Sequence, residues 1–392
     1  LLFSVPNMSR NFLSRLCSPL LALLATGLLS LSPAQAQLAA PPPVIAARAW
    51  FLLDNVSGQA LTENKPDERV EPASLTKLMT AYLAFAALRQ GTLKLDQTVP
   101  VSERAWREPG SRMFIDPKKP ATVEELLHGV ITQSGNDACV ALAEAIGGSE
   151  EGFAQMMNRE AQRLGMKNTQ FRNATGLPDP QHYSTARDLA TLANALIRDF
   201  PDRYPMFSLK QYRYNNITQP NRNRLLWSDP HVDGLKTGHT ETAGYCLVAS
   251  SKRESRRLIS VVLGAGSDAV RATESQRLLD YGFQYFDSAR LYNARQVVSQ
   301  FPVYKGQLAQ VKAGFPNDFA VSVPKGQAAQ LKVKLISKQP LLAPISQGQQ
   351  VATLTLLLGD KPLGDYPVFA LENVPVAGIF GRAWDTLRLW FE

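Results

Sequence analysis

The chain has 392 residues, which is room for two domains with a sizeable core. Its hydrophobic content of 45% and charged content of 19% are those of a globular protein and exclude wholesale disorder. The formal net charge of +8 favours acidic partners such as anionic lipid or carboxylate-rich substrates, whereas the lack of a Lys/Arg block or zinc-finger spacing disfavours nucleic acid.

Residues 1–36 have the pattern of a secretory signal peptide. A basic segment, S-R-N-F-L-S-R, precedes an apolar stretch and a small-x-small cleavage site at Ala34-Gln35-Ala36. A membrane-spanning anchor is the alternative, but the apolar core is short and is broken by Pro19 and Pro33. We therefore expect an exported mature chain that begins near Gln37.

Residues 37–289 mix strand-like and helical patterns. A hairpin is predicted over 47–63, helical periodicity dominates from 74 to about 200, and strand-like runs return at G-Y-C-L-V-A-S-S and R-L-I-S-V-V-L-G. A helical run, A-T-E-S-Q-R-L-L-D-Y-G-F, follows these strands. Strands that bracket helices predict a mixed α/β domain with an antiparallel sheet. Apolar surroundings favour buried free thiols at Cys139 and Cys246 over a disulfide.

The last two segments have different patterns again. Short alternating or β-branched runs, broken by Gly and Pro, predict a small all-β domain over residues 290–373. Residues 374–392 predict an amphipathic helix, too short and too charged to span a bilayer. Its apolar face carries Val376, Ile379, Phe380, Ala383, Trp384, Leu387, Trp390 and Phe391. We predict a peripheral membrane anchor lying in the headgroup plane, with a helix docked on its own protein as the alternative.

The first candidate reactive centre lies in E-P-A-S-L-T-K at 71–77. Ser74 and Lys77 are spaced i, i+3, so a helix places them on one face. A serine in the first helical turn lies where backbone N–H groups stabilise negative charge, and a lysine in an apolar pocket can be a base near neutral pH. The alternative is a helix cap beside an exposed lysine. A second match, Ser322 and Lys325, lies in a β context where such side chains point to opposite faces.

Two further motifs could complete a pocket. Ser134 and Asn136 lie in a turn between helical stretches, where a hydroxyl can relay protons and an amide can hold a substrate carbonyl. Lys236-Thr237-Gly238 precedes a strand-like run, where Gly238 would let a substrate backbone lie close to the strand edge. Lys236 adds positive charge that can lower the pKa of the first lysine or bind an anion. Each motif alone also fits an ordinary turn.

Together and in this order, S-x-x-K, S-x-N and K-T-G resemble the motif set of penicillin-recognising serine enzymes. The flanking sequences E-P-A-S-L-T-K-L-M-T, Q-S-G-N-D-A-C-V-A-L-A-E, N-A-T-G-L-P, S-T-A-R-D-L-A and G-L-K-T-G-H-T resemble the D-alanyl-D-alanine carboxypeptidases of the penicillin-binding protein 5/6 type. This resemblance implies an α/β catalytic domain of the serine β-lactamase/DD-peptidase type, an antiparallel sheet with helices on both faces. A small all-β C-terminal domain and a terminal amphipathic helix follow it.

The resemblance also implies catalytic roles. Ser74 is the expected nucleophile, and Lys77 is the expected base that takes its proton and later activates water. Ser134 is expected to help proton transfer to the leaving D-alanine. Asp188, in S-T-A-R-D-L-A, is expected to bear on deacylation.

The substrate-binding residues that the resemblance implies are Asn136, Lys236, Thr237, Gly238, His239 and Arg271. Among them, Asn136 is expected at the substrate amide and Lys236 near the terminal carboxylate. The backbone N–H of His239 is expected to form an oxyanion hole with that of Ser74. Arg271, in S-D-A-V-R-A-T-E-S, is expected to assist carboxylate recognition.

The expected function is a serine-type D-Ala-D-Ala carboxypeptidase that removes the terminal D-alanine from peptidoglycan pentapeptide stems through an acyl-enzyme on Ser74. We expect β-lactams to be covalent inhibitors. We expect no metal or other cofactor, since no H-E-x-x-H or paired-Cys spacing occurs. The other expected partner is a membrane surface, with the protein on the periplasmic face of the inner membrane.

Three alternatives share parts of this pattern. A DD-endopeptidase that cleaves peptidoglycan cross-links has the same motifs but usually lacks the β domain. A class A β-lactamase needs a glutamate that directs water, and residues 173–188 contain none. An inactive wall-binding protein is disfavoured because every catalytic motif is intact.

Overall fold

The computed structural model describes residues 41–388, so the predicted signal peptide and the last four residues lie outside the described part of the chain. The helices are α1 Lys77–Gln90, α2 Glu103–Arg107, α3 Val123–His128, α4 Asn136–Gly147, α5 Glu150–Leu164, α6 Ala186–Asp199, α7 Leu225–Ser228, α8 Asp268–Tyr285 and α9 Ile379–Arg388. The strands are β1 Ala49–Asp54, β2 Ala60–Asn64, β3 Thr98–Val99, β4 Ala121–Thr122, β5 Gln211–Tyr214, β6 Ile217–Pro220, β7 Val232–Thr240, β8 Gly244–Arg253, β9 Arg256–Ala265, β10 Phe286–Tyr292, β11 Val297–Tyr304, β12 Gln310–Gly314, β13 Phe319–Pro324, β14 Leu331–Ser337, β15 Leu341–Leu342, β16 Gln350–Leu358 and β17 Lys361–Ala370.

A five-stranded antiparallel sheet, in the order β2-β1-β9-β8-β7, is the centre of the first domain. Because side chains alternate along a strand, each inner strand supplies both faces. In β1, Phe51 packs into a core with α1, α4, α5 and α6, whereas Leu52 packs into a second core with α7 and α8. The predicted architecture, an antiparallel sheet with helices on both faces, is confirmed.

Strand β7 lies at the edge of this sheet, yet most of it is buried. Two short 3₁₀ helices cover it, Ala73–Thr76 and Tyr204–Ser208. A Cβ added to Gly238 would lie 3.0 Å from the carbonyl oxygen of Pro72 and 3.2 Å from the Cβ of Ala73. The glycine therefore lets the edge strand approach the turn that carries Ser74.

The C-terminal domain is built from strands, as the sequence predicts. A six-stranded sheet runs in the order β14-β16-β17-β12-β11-β15, and β10 pairs with β13. Its core includes Val311, Val321, Leu354 and Val368, all close to fully buried. The boundary predicted at residue 290 falls inside β10.

The turn between β1 and β2 contacts the C-terminal domain. The hydroxyls of Ser57 and Ser322 are 2.8 Å apart, and Gln59 donates to the Tyr366 hydroxyl at 3.2 Å. Ser322, the serine of the second S-x-x-K match, therefore belongs to the contact between the domains. Lys325 instead donates to the carbonyl of Phe283.

Helix α9 presents apolar side chains to solvent. Ile379 is 74% exposed and Trp384 is 65% exposed. Asp385 accepts a hydrogen bond from the backbone N–H of Lys305 at 2.5 Å, which ties the helix to the end of β11. Among the described residues, we find no helix with the length and hydropathy that a bilayer crossing requires.

Candidate active site

Ser74 lies in the 3₁₀ turn Ala73–Thr76, which leads directly into α1. Ala73 has a φ of 47°, a left-handed conformation that costs energy for a residue with a Cβ. The serine is only half-buried and lines a cavity of about 640 Å³.

Lys77 is the first residue of α1 and is 1% exposed. Its Nζ lies 2.9 Å from Ser74 Oγ, 2.7 Å from Asn136 Oδ1 and 2.6 Å from the carbonyl oxygen of Thr175. Burial disfavours the ammonium form and lowers the pKa of Lys77 to about 8, and the charge of Arg222 acts in the same direction. At pH 7, about one tenth of this amine is therefore unprotonated, against far less than 1% for an exposed lysine.

The opposite wall comes from the segment between α3 and α4. A π-helical turn, Gly129–Gln133, ends at Ser134, whose φ is 61°. Asn136 begins α4, and its amide nitrogen donates to the carbonyl of Pro109 at 2.6 Å. This bond orients the amide oxygen toward Lys77.

Asp137, which the sequence analysis did not single out, holds this wall in place. Its carboxylate is fully buried and accepts from the backbone N–H groups of Met113, Phe114, Ile115 and Ala138 at 2.8 to 3.2 Å. The aspartate thereby ties residues 113–115 to the start of α4.

The third wall is β7. Lys236 is 3% exposed, and its Nζ donates to Ser134 Oγ at 2.9 Å and to the carbonyl of Thr237 at 3.1 Å. Burial holds the pKa of Lys236 well below its usual value, and the charge of Lys77 lowers it further. Since two ammonium groups share one buried site, loss of the proton from one favours the charged form of the other.

Two predicted residues flank the strand. Arg271, on α8, donates to the carbonyls of Gly238 at 3.0 Å and Cys246 at 3.4 Å and forms an ion pair with Asp268. The exposed ring of His239 lies 4.1 Å from that of Tyr245. His239 therefore forms part of the cavity wall.

The loop from 168 to 184 closes the site behind Lys77. Gly176 has a φ of 83°, and a Cβ there would lie 1.8 Å from the carbonyl oxygen of Ala73. Asn173 Oδ1 accepts from the backbone N–H groups of Thr175 and Gly176, which fixes the turn. The carbonyl that binds Lys77 is thus positioned by local hydrogen bonds and by close contact with the Ser74 turn.

Asp188 lies at the start of this loop's supporting helix, away from the reacting groups. Its carboxylate accepts from the backbone N–H of Asn168 at 2.8 Å and from the Thr169 hydroxyl at 2.7 Å. Both partners belong to the loop from 168 to 184, so these hydrogen bonds place Asp188 in support of the loop.

His182 is a buried member of the same loop that the sequence analysis missed. The backbone N–H of Arg172 donates to Nδ1 at 3.1 Å, so Nε2 carries the proton and lies 2.8 Å from the Thr76 hydroxyl. Burial lowers the pKa of His182 to about 4, which keeps the ring neutral at physiological pH. The histidine connects the loop to the residue next to Lys77.

The cavity has further lining residues without a motif of their own. These are Gly110, Ser111, Pro220, Asn221, Arg222, Arg224, Tyr245 and Asp268. Arg222 and Arg224 lie in N-R-N-R, which is a local cluster of positive charge in the sequence and the one signal that could have found them. Cys139 and Cys246 are buried and free, as predicted.

The comparisons with known proteins agree with this geometry. Residues 35–267 match the family model of D-alanyl-D-alanine carboxypeptidase, peptidase family S11, and residues 286–376 match the penicillin-binding protein 5 C-terminal domain. D-alanyl-D-alanine carboxypeptidase DacC of Escherichia coli (strain K12) is 43% identical over 357 residues, 89% of this chain and 89% of that protein.

Solved structures extend the likeness to three dimensions. Penicillin-binding protein 5 from Haemophilus influenzae superposes with a TM-score of 0.82 and 40% identity, covering 86% of this chain and 99% of that one. Penicillin-binding protein D2 from Listeria monocytogenes, in its ampicillin-bound form, has a TM-score of 0.58 and 32% identity, covering 62% of this chain and 99% of that one. The chain belongs to the D-alanyl-D-alanine carboxypeptidase family of serine peptidases, in the group of penicillin-binding proteins 5 and 6.

Proposed function

We propose that Ser74 is the nucleophile of a serine-type D-Ala-D-Ala carboxypeptidase and that Lys77 is its general base. The observation that carries this proposal is the hydrogen-bond set of Lys77 Nζ. A neutral amine has two N–H groups and one lone pair. With the N–H groups donated to Asn136 Oδ1 and the Thr175 carbonyl, the lone pair faces the Ser74 hydroxyl 2.9 Å away.

In acylation, Ser74 Oγ attacks the carbonyl carbon of the penultimate D-alanine, and its proton passes to Lys77 Nζ. The C–N bond to the terminal D-alanine then breaks. The Ser134 hydroxyl, held by Lys236 at 2.9 Å, gives the departing nitrogen a proton, and the proton on Lys77 restores the hydroxyl. The products are an ester on Ser74 and free D-alanine.

The oxyanion that forms on the attacked carbonyl is assigned to the backbone N–H groups of Ser74 and His239. Support comes from the edge position of β7, since an edge strand has N–H groups without a strand partner. The close approach at Gly238 brings this strand to the Ser74 turn. Thr237 and Gly238 line the cavity, where an extended substrate can lie along the strand.

The terminal carboxylate is assigned to the cationic side of the cavity. Lys236, Arg222 and Arg271 bring three positive groups to this region, and the Thr237 hydroxyl adds a donor. An anion here also raises the pKa of Lys236, so that substrate binding favours the charged form of Lys236 and the neutral form of Lys77.

Deacylation is assigned to the same base. Lys77, neutral again after acylation, takes a proton from a water molecule that attacks the ester, and D-alanine-shortened peptide is released. None of the three hydrogen-bond acceptors described around Lys77 is a carboxylate, so none of them corresponds to the water-directing glutamate of a class A β-lactamase. Asp188 supports this step through the loop it binds.

The natural substrate class is assigned as peptidoglycan pentapeptide stems, and D-alanine release from diacetyl-L-Lys-D-Ala-D-Ala tests the assignment. Wild type releases D-alanine, and Ser74→Ala abolishes release. Ser322→Ala is the matched control, because Ser322 begins the other S-x-x-K sequence, and it keeps wild-type activity. Full activity in Ser74→Ala would overturn the assignment.

Penicillin trapping follows from the same chemistry, because the lactam carbonyl stands in for the D-alanine carbonyl and its leaving group stays tethered. Intact-mass spectrometry is expected to show one penicilloyl adduct on wild type and on Ser322→Ala. The adduct is absent from Ser74→Ala. An unmodified wild-type mass after saturating penicillin would contradict the mechanism.

We also propose that the protein is exported and that α9 holds it at the periplasmic face of the inner membrane. The exposed Ile379 and Trp384 support insertion of one helix face between lipid headgroups. Truncation after Ala377 removes the helix while keeping the bridges Ile345–Val374 and Gly306–Val376. Co-sedimentation with phosphatidylethanolamine/phosphatidylglycerol vesicles is expected for wild type and lost in the truncated chain; equal sedimentation of both excludes α9 as the anchor.

A further inference from the structure

A second cavity lies beside the catalytic one, and we call it the outer cavity. Its volume is about 650 Å³. Three large apolar side chains line it and remain well exposed: Trp106 at 40%, Phe114 at 43% and Ile217 at 41%. Its charged and polar lining residues are Glu103, Arg112, Asp116, Lys118 and Asn215. Exposed aromatic groups that face a polar cavity are typical of a binding surface.

The same two elements build both cavities. In the loop after α2, Gly110 and Ser111 line the catalytic cavity, and Arg112 and Phe114 line the outer one. In the β5–β6 hairpin region, Pro220 and Asn221 line the first cavity, whereas Asn215 and Ile217 line the second. The two cavities are therefore bordered by the same two segments.

Hydrogen bonds make this pair of segments one unit. Asn215 donates to the carbonyl of Phe114 at 2.9 Å, and Gln219 donates to the carbonyl of Arg112 at 3.0 Å. Asp137, next to Asn136, accepts a hydrogen bond from the backbone N–H of Phe114. A ligand in the outer cavity thus contacts a wall that is anchored to the active site.

Phe114 has an unusual backbone conformation. Its φ is 68°, which is costly for an aromatic residue and requires the surrounding hydrogen bonds. The conformation presents the ring to solvent beside the Arg112 guanidinium, 5.8 Å from the ring centre. Strain maintained to expose an aromatic ring points to a role for that ring in binding.

We propose that the outer cavity binds the saccharide part of the substrate, an N-acetylated amino sugar of the glycan strand whose stem peptide enters the catalytic cavity. This inference rests on the proposed function. The C–H face of a pyranose can stack on Trp106 or Phe114, and its amide and hydroxyl groups can hydrogen-bond to Asn215 and Asp116. The two acidic and two basic side chains of the lining balance, which fits a neutral ligand.

The length of the stem peptide fits this placement. Four residues separate the sugar from the scissile bond, and an extended chain of four spans about 13 Å. Ser111 and Phe114 are three residues apart, so their Cα atoms lie within about 11 Å of each other. The chain segment that borders both cavities is therefore shorter than one extended stem.

The test compares D-alanine release from a disaccharide pentapeptide with release from diacetyl-L-Lys-D-Ala-D-Ala. The ratio of the two kcat/KM values is expected to fall about tenfold in Trp106→Ala and to recover in Trp106→Phe, which keeps an aromatic face. Trp227→Ala, 49% exposed outside the outer cavity, is the matched control and leaves the ratio unchanged. The peptide-free disaccharide should compete with the disaccharide pentapeptide in wild type and not in Trp106→Ala.

The other outcomes would overturn either the saccharide site or the proposed function. An unchanged ratio in Trp106→Ala, or no competition by the disaccharide in wild type, overturns the saccharide site. A sugar-free pentapeptide can replace the disaccharide pentapeptide in this ratio. If Trp106→Ala lowers that second ratio equally, the cavity binds the stem peptide and the saccharide site is overturned. If wild type releases D-alanine from neither substrate, the proposed function fails, which is a distinct result.

Discussion

The Nζ of Lys77 lies 2.6 Å from the carbonyl oxygen of Thr175, a residue 98 positions further along the chain. A backbone carbonyl has no titratable proton, so it orients the amine at every pH. In the proposed mechanism, the loop that carries Thr175 therefore positions the base without supplying a reacting side chain. This contact can be tested by changing the loop and by measuring the protonation of Lys77.

Gly176→Ala is expected to displace the loop. A Cβ at 1.8 Å from the carbonyl oxygen of Ala73 forces backbone movement, and the φ of 83° adds strain. We expect a loss of roughly 2–4 kcal/mol in the free energy of unfolding and a clear fall in the rate of acylation by penicillin. Gly165→Ala is the matched control: its φ is 80° but nothing lies within 4 Å, so about 1 kcal/mol is expected. Equal effects in the two variants would show that the contact with Ala73 is unimportant.

The pH dependence of acylation should report Lys77. The amine must be neutral to accept the proton of Ser74, and burial lowers the pKa of Lys77 to about 8. We therefore expect kcat/KM to rise about tenfold per pH unit below this pKa and to level off above it. Stopped-flow acylation between pH 5.5 and 9.5 gives the profile. A flat profile over that range would exclude Lys77 as the base.

His182 should make stability depend on pH in the acid range. Its pKa is lowered by burial from 6.5 to about 4, so between these values the unfolded chain binds a proton that the folded chain does not. Its contribution to stability is complete above pH 6.5 and is lost as the pH falls toward 4. The full loss is of order 3 kcal/mol, since the two pKa values differ by about 2.5 and one pKa unit corresponds to about 1.4 kcal/mol.

His182→Gln isolates this contribution, because glutamine keeps a donor and an acceptor but does not titrate. Urea unfolding at pH 7.5 and pH 4.5 gives the free energy of unfolding at each pH. Between the two pH values, this free energy should decrease less in the variant than in wild type. The rise of the acylation rate with pH below pH 8 should be unchanged in this variant, since it reports the protonation of Lys77. Identical acid sensitivity in both proteins would show that other groups cause it.

Asp137→Asn tests the anchor of the Ser134–Asn136 wall. The carboxylate accepts four backbone N–H groups, and an amide cannot accept all of them with one oxygen. We expect a loss of about 2–3 kcal/mol in unfolding free energy, together with slower acylation. Asp96→Asn, at an exposed position, should change stability by less than about 0.5 kcal/mol. A melting temperature equal to wild type would contradict this role.

Much of the site was predictable from sequence because its chemistry lies in side chains at short spacing. Ser74 and Lys77 share a helical turn, and their distance of 2.9 Å follows from the i, i+3 relationship. The same spacing failed to form a pair at Ser322 and Lys325, since a strand separates such side chains. The predicted secondary structure, a helix at Ser74 and a strand at Ser322, therefore distinguishes the two S-x-x-K sequences.

The supporting groups could not be predicted in the same way. The acceptor at Thr175 is a backbone carbonyl and has no signature in residue type. His182 and Asp137 look like an ordinary loop histidine and a helix-start aspartate until the fold brings Thr76 and residues 113–115 against them. The two-domain architecture was predictable from strand and helix periodicity, but the contact from Ser57 to Ser322 depends on tertiary packing alone.

The edge position of β7 has a consequence for the behaviour of the protein in concentrated solution. An unpaired strand can template addition of a strand from a second molecule, and this is a common start of aggregation. Here the turn Ala73–Thr76 and the short helix Tyr204–Ser208 pack against the edge strand, which leaves less of it open to a neighbouring sheet. Substitutions that open the cleft to accept bulkier ligands would therefore also reduce colloidal stability, which sets a limit on how far this site can be widened.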